Sequence, residues 1–263
     1  MNSKAIRILC EKWASSGVDK GDTLLLHSNI KRTLIEARRA GYKITPHDIL
    51  DSLLLSLGKD GTLVLPLFNF DFTQGVNFDI RTTPSHMGAL TEIGRTFNES
   101  VRTGHPIYSF SVIGKNAKFF EGVDNVSGYA EDSPFGILKS LNGKIASLDL
   151  EDQSSMTYYH HIEEIKQVNY RYFKTFSGNY TDAQGLQSLK KYKLFVRDIE
   201  KRVITNVNPA GELLWKNGLY AGSRPKVESG MRIINAQKMF NFVSEIIDKN
   251  EALDVLYSIE AQL

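Results

Sequence analysis

"GDTLLLHSNI" (residues 21–30) is the stretch that decides the fold. Its three consecutive leucines, residues 24–26, follow a Gly-Asp turn and predict a strand that is buried on both faces. Such strands are typical of α/β sheets in which helices cover both faces. His27 and Ser28 end the predicted strand. Ligands of open α/β sheets bind beyond the carboxyl ends of the strands, so we expect a functional site here.

The first 168 residues alternate predicted strands and helices. Thr45, Pro46 and Gly58 mark one helix, as its N-cap, its first residue and its stop. This alternation predicts an α/β fold with a mixed central sheet flanked by helices. Further helices are predicted at residues 4–15 and 83–97 and from about residue 152, and further strands at 61–68, 109–114 and 143–150.

The pattern changes after residue 168. "YRYFKTFSGNYTD" (170–182) and "KKYKLFVRDI" (190–199) predict two strands separated by Gly and Asn turns. We therefore expect one domain over residues 1–263, in which a smaller β-rich subdomain packs on the α/β core. The core is predicted at 1–168, the subdomain at 169–230 and C-terminal helices at 231–263.

Composition narrows the class of protein. Lys and Arg number 32 and Asp and Glu number 30, a near balance that argues against a dedicated nucleic-acid binder. Cys10 is the single cysteine, which excludes an internal disulfide and a cysteine-based zinc cage. No apolar run approaches the ~18 residues that a membrane span requires. We expect a soluble cytoplasmic protein without a membrane contact, either a monomer or a homodimer.

"SSMTYYHHIEE" (154–164) concentrates titratable side chains on one predicted helix, with Asp152 or Ser154 as its N-cap. Thr157, His160 and Glu163 are spaced i, i+3, i+6 and lie within a sector of about 120°. His160 and Glu163 can therefore touch, which would orient the imidazole and leave its other nitrogen as a general base.

A second pair, His161 with Glu164, has the same spacing and is expected to face solvent. Three interpretations of the helix remain open at this point: a solvated face of ion pairs, a metal site, and a base dyad. The metal site is the weakest, because the order and spacing differ from the His-Glu-x-x-His pattern of helical metalloproteases. Spacing alone does not rank the two pairs.

Other candidate residues follow predicted strands or occupy a tight loop. A loop rich in Gly and Pro can present a guanidinium and backbone N–H groups to an oxyanion or a phosphate. These residues are Asn69 and Asp71 after the second strand, Asp149 and Asp152 after the last core strand, and Arg102, His105 and Ser109 in "VRTGHPIYSFSVIG".

The chain resembles the aminoglycoside N3-acetyltransferases, most strongly from about residue 20 to 165. The matching segments occur in family order: "GDTLLLHSNI", "GTLVLPLFNF", "TTPSHMGALTEIGR", "VRTGHPIYSFSVIGKNA", "DSPFGIL" and "SMTYYHHIEE". The family's Thr-x-x-His-x-x-Glu element maps onto Thr157, His160 and Glu163. Its Arg-Ser-x-His-Pro element maps onto residues 102–106, with Thr103 in place of serine.

The resemblance implies acyl transfer from acetyl-CoA, or another acyl-CoA, to an amine of an amino sugar, without a metal. His160 is the implied base, Glu163 its partner, and Thr157 with backbone N–H groups near Ser28 the implied oxyanion donors. The residues implied or expected to bind the acyl-CoA are His27, Ser28, Asn29, Lys31, Arg32, Arg102, His105 and Ser109.

The acceptor remains open between two kinds of sugar. The family usually has Gly where this chain has Asp149, and "IEARRAGYKITPHD" (35–48) replaces a Gly pair with a longer basic stretch. These departures favour a biosynthetic, nucleotide-linked amino sugar, bound through "NYRYFKTF" (169–176), over an aminoglycoside and a role in antibiotic resistance. Acidic pairs at 131–132 and 151–152 suit the aminoglycoside alternative, and a non-catalytic relative that binds coenzyme A or a sugar nucleotide is a third. The expected substrate-binding residues are Asn69, Asp71, Asp149, Asp152 and Arg171.

Overall fold

Twelve strands and nine helices are found in the computed structural model, which describes residues 3–225 and 229–260. The strands are β1 Thr23–Ser28, β2 Thr62–Pro66, β3 Phe78–Asp79, β4 Val101–Arg102, β5 Phe110–Gly114, β6 Lys144–Leu148, β7 Arg171–Thr181, β8 Gln187–Arg197, β9 Val203–Thr205, β10 Ala221–Gly222, β11 Met231–Asn235 and β12 Tyr257–Ile259. The helices are α1 Ser3–Ser15, α2 Lys31–Arg39, α3 Pro46–Leu57, α4 Ala89–Arg95, α5 Pro134–Ser140, α6 Asp152–Ser155, α7 Tyr158–Ile165, α8 Asn208–Lys216 and α9 Ala236–Asp248.

Seven strands form the central sheet, in the order β10-β11-β6-β1-β2-β5-β4. β1 pairs in parallel with β2 and β6, whereas the other pairs are antiparallel, so the predicted mixed α/β sheet is confirmed. Leu25 belongs to the hydrophobic core on one face, while Leu24 and Leu26 belong to the core on the other. The leucine run is therefore a strand covered on both faces, as its sequence predicts.

The helix predicted at 83–97 is shorter than expected, because α4 begins only at Ala89. Gly88 precedes it with φ 107°, a conformation that favours glycine and interrupts regular helix. Thr45 caps α3 as predicted, because its side chain accepts from the Asp48 backbone N–H. In return, the Asp48 side chain accepts from the Thr45 backbone N–H.

β7 and β8 form a long antiparallel hairpin that β3 joins through parallel pairing with β7. Because β3 comes from residues 78–79 of the predicted core, the hairpin shares its sheet with that core. The division at residue 169 stays a prediction.

The C-terminal segment differs from the expected run of helices at 231–263. β11 inserts antiparallel to β6 in the central sheet, and β12 pairs with β9, so only α9 is helical among the described residues of this segment. Residues 231–234 of β11 are all buried, which the strand achieves by lying between β6 and β10. Residues 261–263 lie outside the described part of the chain.

Asp149, directly after β6, provides a test of the local backbone. Its φ is 58°, in the left-handed region, and its Oδ1 accepts from the Gly230 backbone N–H at 2.7 Å. Asp149→Val should lower the free energy of unfolding by about 2–4 kcal/mol, since valine is strained at this φ and loses the hydrogen bond. Asp149→Asn, which tolerates this φ and keeps an acceptor, should lower it by less than about 1 kcal/mol. Equal urea unfolding midpoints for the two variants would contradict this account.

Candidate active site

The segment from residue 152 to residue 165 forms two helices, not the single helix expected. α6 ends at Ser155, because Met156 after it has a ψ of 64° that breaks the helix, and α7 then begins after Thr157. Thr157 occupies the N-cap position, yet within the described chain its side chain makes no capping hydrogen bond. The Thr157 hydroxyl is therefore not committed to the helix end.

His160 and Glu163 are in contact, as their spacing predicts. His160 Nδ1 lies 2.8 Å from Glu163 Oε2. The Glu163 side chain is fully buried, whereas the His160 side chain is 21% exposed. A carboxylate accepts a hydrogen bond at Nδ1, so the neutral ring carries its proton there and keeps Nε2 as the basic nitrogen.

Arg171 is the third member of this arrangement, because its Nε lies 2.7 Å from the same Glu163 oxygen. Burial opposes ionisation of Glu163, but Arg171 and then His160 hold the pKa of the carboxyl below its usual value. Burial, and next Arg171, lower the pKa of His160, while Glu163 opposes that shift. At neutral pH the pair is therefore a carboxylate beside a neutral imidazole.

The second pair does not face solvent, and its members do not pair with each other as expected. His161 is fully buried and its Nδ1 lies 2.7 Å from the Tyr129 carbonyl oxygen. Glu164 is also buried and accepts from the Ser127 hydroxyl at 2.8 Å. Burial lowers the pKa of His161 to about 4 and raises that of Glu164 to about 7. Both side chains secure the loop that carries Tyr129.

Tyr129 is a site residue that the sequence analysis missed. Its ring contacts the His160 ring, with 5.3 Å between centroids, and the Tyr108 ring, with 4.9 Å. Tyr108 in turn packs against Phe68, which follows β2 and contacts the ring of His27. A row of rings therefore connects His160 with the end of β1, and only the fold brings its members together.

A cavity of about 620 Å³ opens at the carboxyl ends of β1 and β6. Its described lining contains Lys31, Arg38 and His86 and no carboxylate, so it suits an anionic ligand. Three of the predicted acyl-CoA residues, Ser28, Asn29 and Lys31, lie in this wall. The lining consists of Ser28, Asn29, Ile30, Lys31, Leu34, Ile35, Arg38, Pro46, His86, Met87, Gly88, Ala89, Leu90, Leu150 and Ser154.

Two of the backbone donors expected near Ser28 are already engaged. The Asn29 N–H donates to the Leu148 carbonyl at 2.9 Å, and the Lys31 N–H donates to the Asn29 side chain at 3.2 Å. His27 is buried, which lowers its pKa to about 3. These two N–H groups are therefore engaged within the protein, and the Thr157 hydroxyl is the other expected oxyanion donor.

Arg102, His105 and Ser109 also differ from their expected role at the acyl-CoA. Arg102 donates to two backbone carbonyls, at 2.9 and 2.7 Å, and to the Ser109 hydroxyl at 3.3 Å. His105 is fully buried, and its Nδ1 accepts from the backbone N–H groups of Ile107 and Tyr108. None of the three predicted side chains is among the described residues that line the cavity.

Asn69 and Asp71 contact His86, which lines the cavity. Asn69 Oδ1 accepts from the Asp71 N–H at 2.9 Å, and Asn69 Nδ2 lies 3.1 Å from His86 Nε2. Asp71 Oδ2 is 3.6 Å from the same nitrogen. The two residues expected to bind substrate therefore position a cavity-lining histidine.

Asp152 and Asp149 are buried, and both accept hydrogen bonds from groups within the protein. Asp152 accepts from the hydroxyls of Tyr159 and Tyr220, at 2.8 and 2.7 Å, and forms an ion pair with Arg232 at 2.7 Å. Burial raises the pKa of Asp149. The hydrogen bond from the Gly230 N–H opposes this shift, and the charge of Arg32 opposes it more weakly. Arg171 is buried on Glu163, so these three residues lack the open position expected of substrate ligands.

The cavity and the His160–Glu163 pair both follow the carboxyl end of β6. The pair is chemically suited to proton transfer and the basic cavity to a polyanionic ligand, two features that an acyltransferase with a polyanionic acyl carrier requires. The family model for aminoglycoside 3-N-acetyltransferase matches residues 25–248. The chain belongs to this family and is an acetyltransferase.

Solved structures confirm the fold. The aminoglycoside acetyltransferase AAC(3)-Xa has a TM-score of 0.78 at 21% identity, over 93% of this chain and 92% of that one. AAC-IIIb in a binary complex with CoASH has a TM-score of 0.76 at 18% identity, over 98% of both chains. AAC-VIa bound to sisomicin has a TM-score of 0.75 at 19% identity, over 94% and 98%. No curated protein sequence is significantly similar to the chain.

Family membership confirms acetyl-CoA as the expected acyl donor. Within residues 3–225 and 229–260, His, Cys, Asp and Glu form no group of three or more that is suited to a metal ion. In the same residues every helix is too short or too polar to span a bilayer.

The ionisation of the pair is testable by NMR. The His160 ring should titrate below the usual histidine value of about 6.5 and be neutral at pH 7. Glu163→Gln should lower this pKa further, because it removes the charge that stabilises the imidazolium. A titration midpoint at or above about 6.5, or an upward shift in Glu163→Gln, would contradict the geometry described.

Proposed function

We propose that the chain transfers an acetyl group from acetyl-CoA to an amino group of an aminoglycoside-type sugar, with His160 as the general base. The observation that carries the proposal is the 2.8 Å contact from His160 to the buried carboxylate of Glu163. This carboxylate fixes the tautomer and stabilises the imidazolium that forms during the reaction, as the acid does in hydrolase triads.

The reaction is a direct displacement. The sugar nitrogen attacks the thioester carbonyl carbon while His160 Nε2 takes the proton from that nitrogen, so a C–N bond forms and the carbonyl becomes a tetrahedral oxyanion. Collapse of this intermediate then breaks the C–S bond. The thiolate of coenzyme A leaves and receives the proton. The Thr157 hydroxyl donates to the oxyanion of the tetrahedral intermediate. No acyl-enzyme is required, and Cys10 is engaged elsewhere, with its Sγ on the Ser52 carbonyl at 3.4 Å.

The donor occupies the basic cavity. Lys31 and Arg38 attract the phosphates of coenzyme A, and the apolar residues of the lining accommodate its uncharged arm. This assignment retains Ser28, Asn29 and Lys31 from the sequence expectation and replaces Arg102 with Arg38.

The aminoglycoside acceptor is better supported than a nucleotide-linked sugar. Glu131 and Asp132 closely follow Tyr129, whose ring contacts His160. Glu131 forms an ion pair with Lys139, so the exposed Asp132 is the carboxylate of this loop that suits a polycationic sugar. In the segment at 169–176 that suited a nucleotide, Tyr170 and Arg171 are buried, which leaves Tyr172, Phe173 and Lys174 as its exposed aromatic and basic residues. An intact His160–Glu163 pair argues against a non-catalytic relative.

Release of free thiol measures the acceptor class directly. With acetyl-CoA as donor, sisomicin should give steady thiol release, and a nucleotide-linked amino sugar should give a rate close to the rate without acceptor. Faster thiol release with the nucleotide-linked sugar than with sisomicin would favour the biosynthetic acceptor. No thiol release with either acceptor would favour a binding protein over an enzyme.

Replacing the base should abolish most of the turnover. His160→Ala should lower kcat by roughly 10²–10⁴-fold while binding of CoASH, measured by calorimetry, is retained. Exposed His47, on α3, supplies the control, because His47→Ala should leave kcat unchanged. His161 is unsuitable as a control since it is buried against Tyr129. Full turnover in His160→Ala would refute the role of the base.

Two adjacent arginines test the donor cavity. Arg38 lines the cavity, whereas Arg39 is exposed on the same helix and is not among the described lining residues. Arg38→Met should raise the KM for acetyl-CoA roughly tenfold at low salt with little change in kcat, because it removes a phosphate partner. Arg39→Met should have less than about a third of this effect. Equal effects from both variants would indicate a general charge effect without a specific contact.

A further inference from the structure

Arg171 begins β7 and is buried on the carboxylate of Glu163, although its place in a basic and aromatic strand suggests a surface role. We propose that Arg171 is the positioning residue of this enzyme: it holds Glu163 ionised and aimed at His160. This inference rests on the function proposed above, in which His160 is the base.

One oxygen atom carries both interactions. Glu163 Oε2 lies 2.8 Å from His160 Nδ1 and 2.7 Å from Arg171 Nε. The side chains of Glu163 and Arg171 are 0% and 5% exposed, so water does not screen the pair. A buried carboxylate without a cation would become protonated, and it would then cease to stabilise an imidazolium.

The guanidinium is itself fixed by the hairpin and by β9. Arg171 Nη1 donates to the Phe195 carbonyl in β8 at 3.0 Å, and Nη2 donates to the Thr205 hydroxyl in β9 at 3.2 Å. The planar guanidinium thus contacts three elements at once, because it donates to β8 and β9 and forms an ion pair with Glu163 on α7, a combination that a lysine cannot reproduce. The position of the Glu163 carboxylate therefore depends on the β7–β8 hairpin.

Few other titratable groups face this cluster. The Tyr170 hydroxyl interacts with Glu163, and Tyr129 lies against the His160 ring. Both tyrosines are buried, with pKa values above the ordinary tyrosine value, and stay neutral in the working range. Charge changes at Glu163 and Arg171 should therefore reach His160 directly, with opposite signs.

Activity and its pH dependence test the role. Arg171→Met should lower kcat about 10- to 100-fold, as the loss of a residue that orients a functional imidazole does, while the KM values for acetyl-CoA and sisomicin change by less than about threefold. The acid limb of kcat/KM reports protonation of the Glu163–His160 pair as a unit. Its midpoint should move to higher pH in Arg171→Met, which removes a cation from the pair, and to lower pH in Glu163→Gln, which removes the carboxylate. Arg171→Lys should fall between wild type and Arg171→Met in kcat.

Arg197 provides the matched control. It lies opposite Arg171 in the register of the hairpin but is exposed, so Arg197→Met should leave kcat and the pH profile unchanged. An altered profile in Arg197→Met would show that hairpin charge in general shifts the base, and it would overturn the specific role of Arg171.

A double variant that removes both Glu163 and Arg171 separates positioning from a purely structural effect. It leaves no unpaired buried charge, which would itself destabilise the fold. If Arg171 acts through Glu163, then Glu163→Gln with Arg171→Met should have the kcat of Glu163→Gln alone, within about threefold. Additive losses, or a rise in KM at constant kcat, would overturn the inference and return Arg171 to a structural or substrate-binding role. If His160→Ala retains full turnover, the proposed function itself fails, whatever the Arg171 variants do.

Discussion

A single carboxylate oxygen, Glu163 Oε2, joins the two halves of the candidate site. It lies 2.8 Å from His160 Nδ1 on its own helix and forms an ion pair with Arg171 at the start of the hairpin. The first contact is local, since residues three apart on a helix are neighbours. The second requires the β7–β8 hairpin to dock against α7. Burial makes both contacts stronger and makes the loss of either costly, because an unpaired charge would then remain in the interior.

Opposite charges are distributed along the site in a way that suits two substrates of opposite charge. Under the proposed function, the cavity with Lys31, Arg38 and His86 takes the donor, whereas the acidic residues Glu131 and Asp132 follow Tyr129, which contacts His160. A polyanionic coenzyme and a polycationic sugar would thus be attracted to different parts of the surface and meet at His160. α7 supports this division, because the buried His161 and Glu164 hold the loop that presents Tyr129.

Local sequence patterns predicted the features that depend on neighbours in the chain. The leucine run predicted β1, Thr45 and Gly58 predicted the ends of α3, and helical spacing placed His160 on Glu163. Features that depend on distant partners were missed. The solvent-facing position expected for Glu164 was wrong because Ser127, 37 residues away, satisfies its carboxylate inside the protein.

The same reason explains the other differences. Arg171 was expected to bind substrate because its partner Glu163 comes from α7. Arg102 was expected to bind the acyl-CoA because its carbonyl acceptors lie in a distant loop. β11 reads as the start of a helix until the edge of β6 is available to it. The resemblance ranked His160 above His161, a choice that spacing could not make, while the roles of the site residues stay proposals.

Chemical rescue is the most direct test of the central claim that His160 removes the proton from the acceptor amine. In His160→Gly, added imidazole should restore thiol release from acetyl-CoA and sisomicin in proportion to its concentration. Substituted imidazoles of higher pKa should rescue better, provided that they fit the space that the side chain leaves. A folded variant that still binds CoASH and shows no rescue by any of these bases would contradict the account.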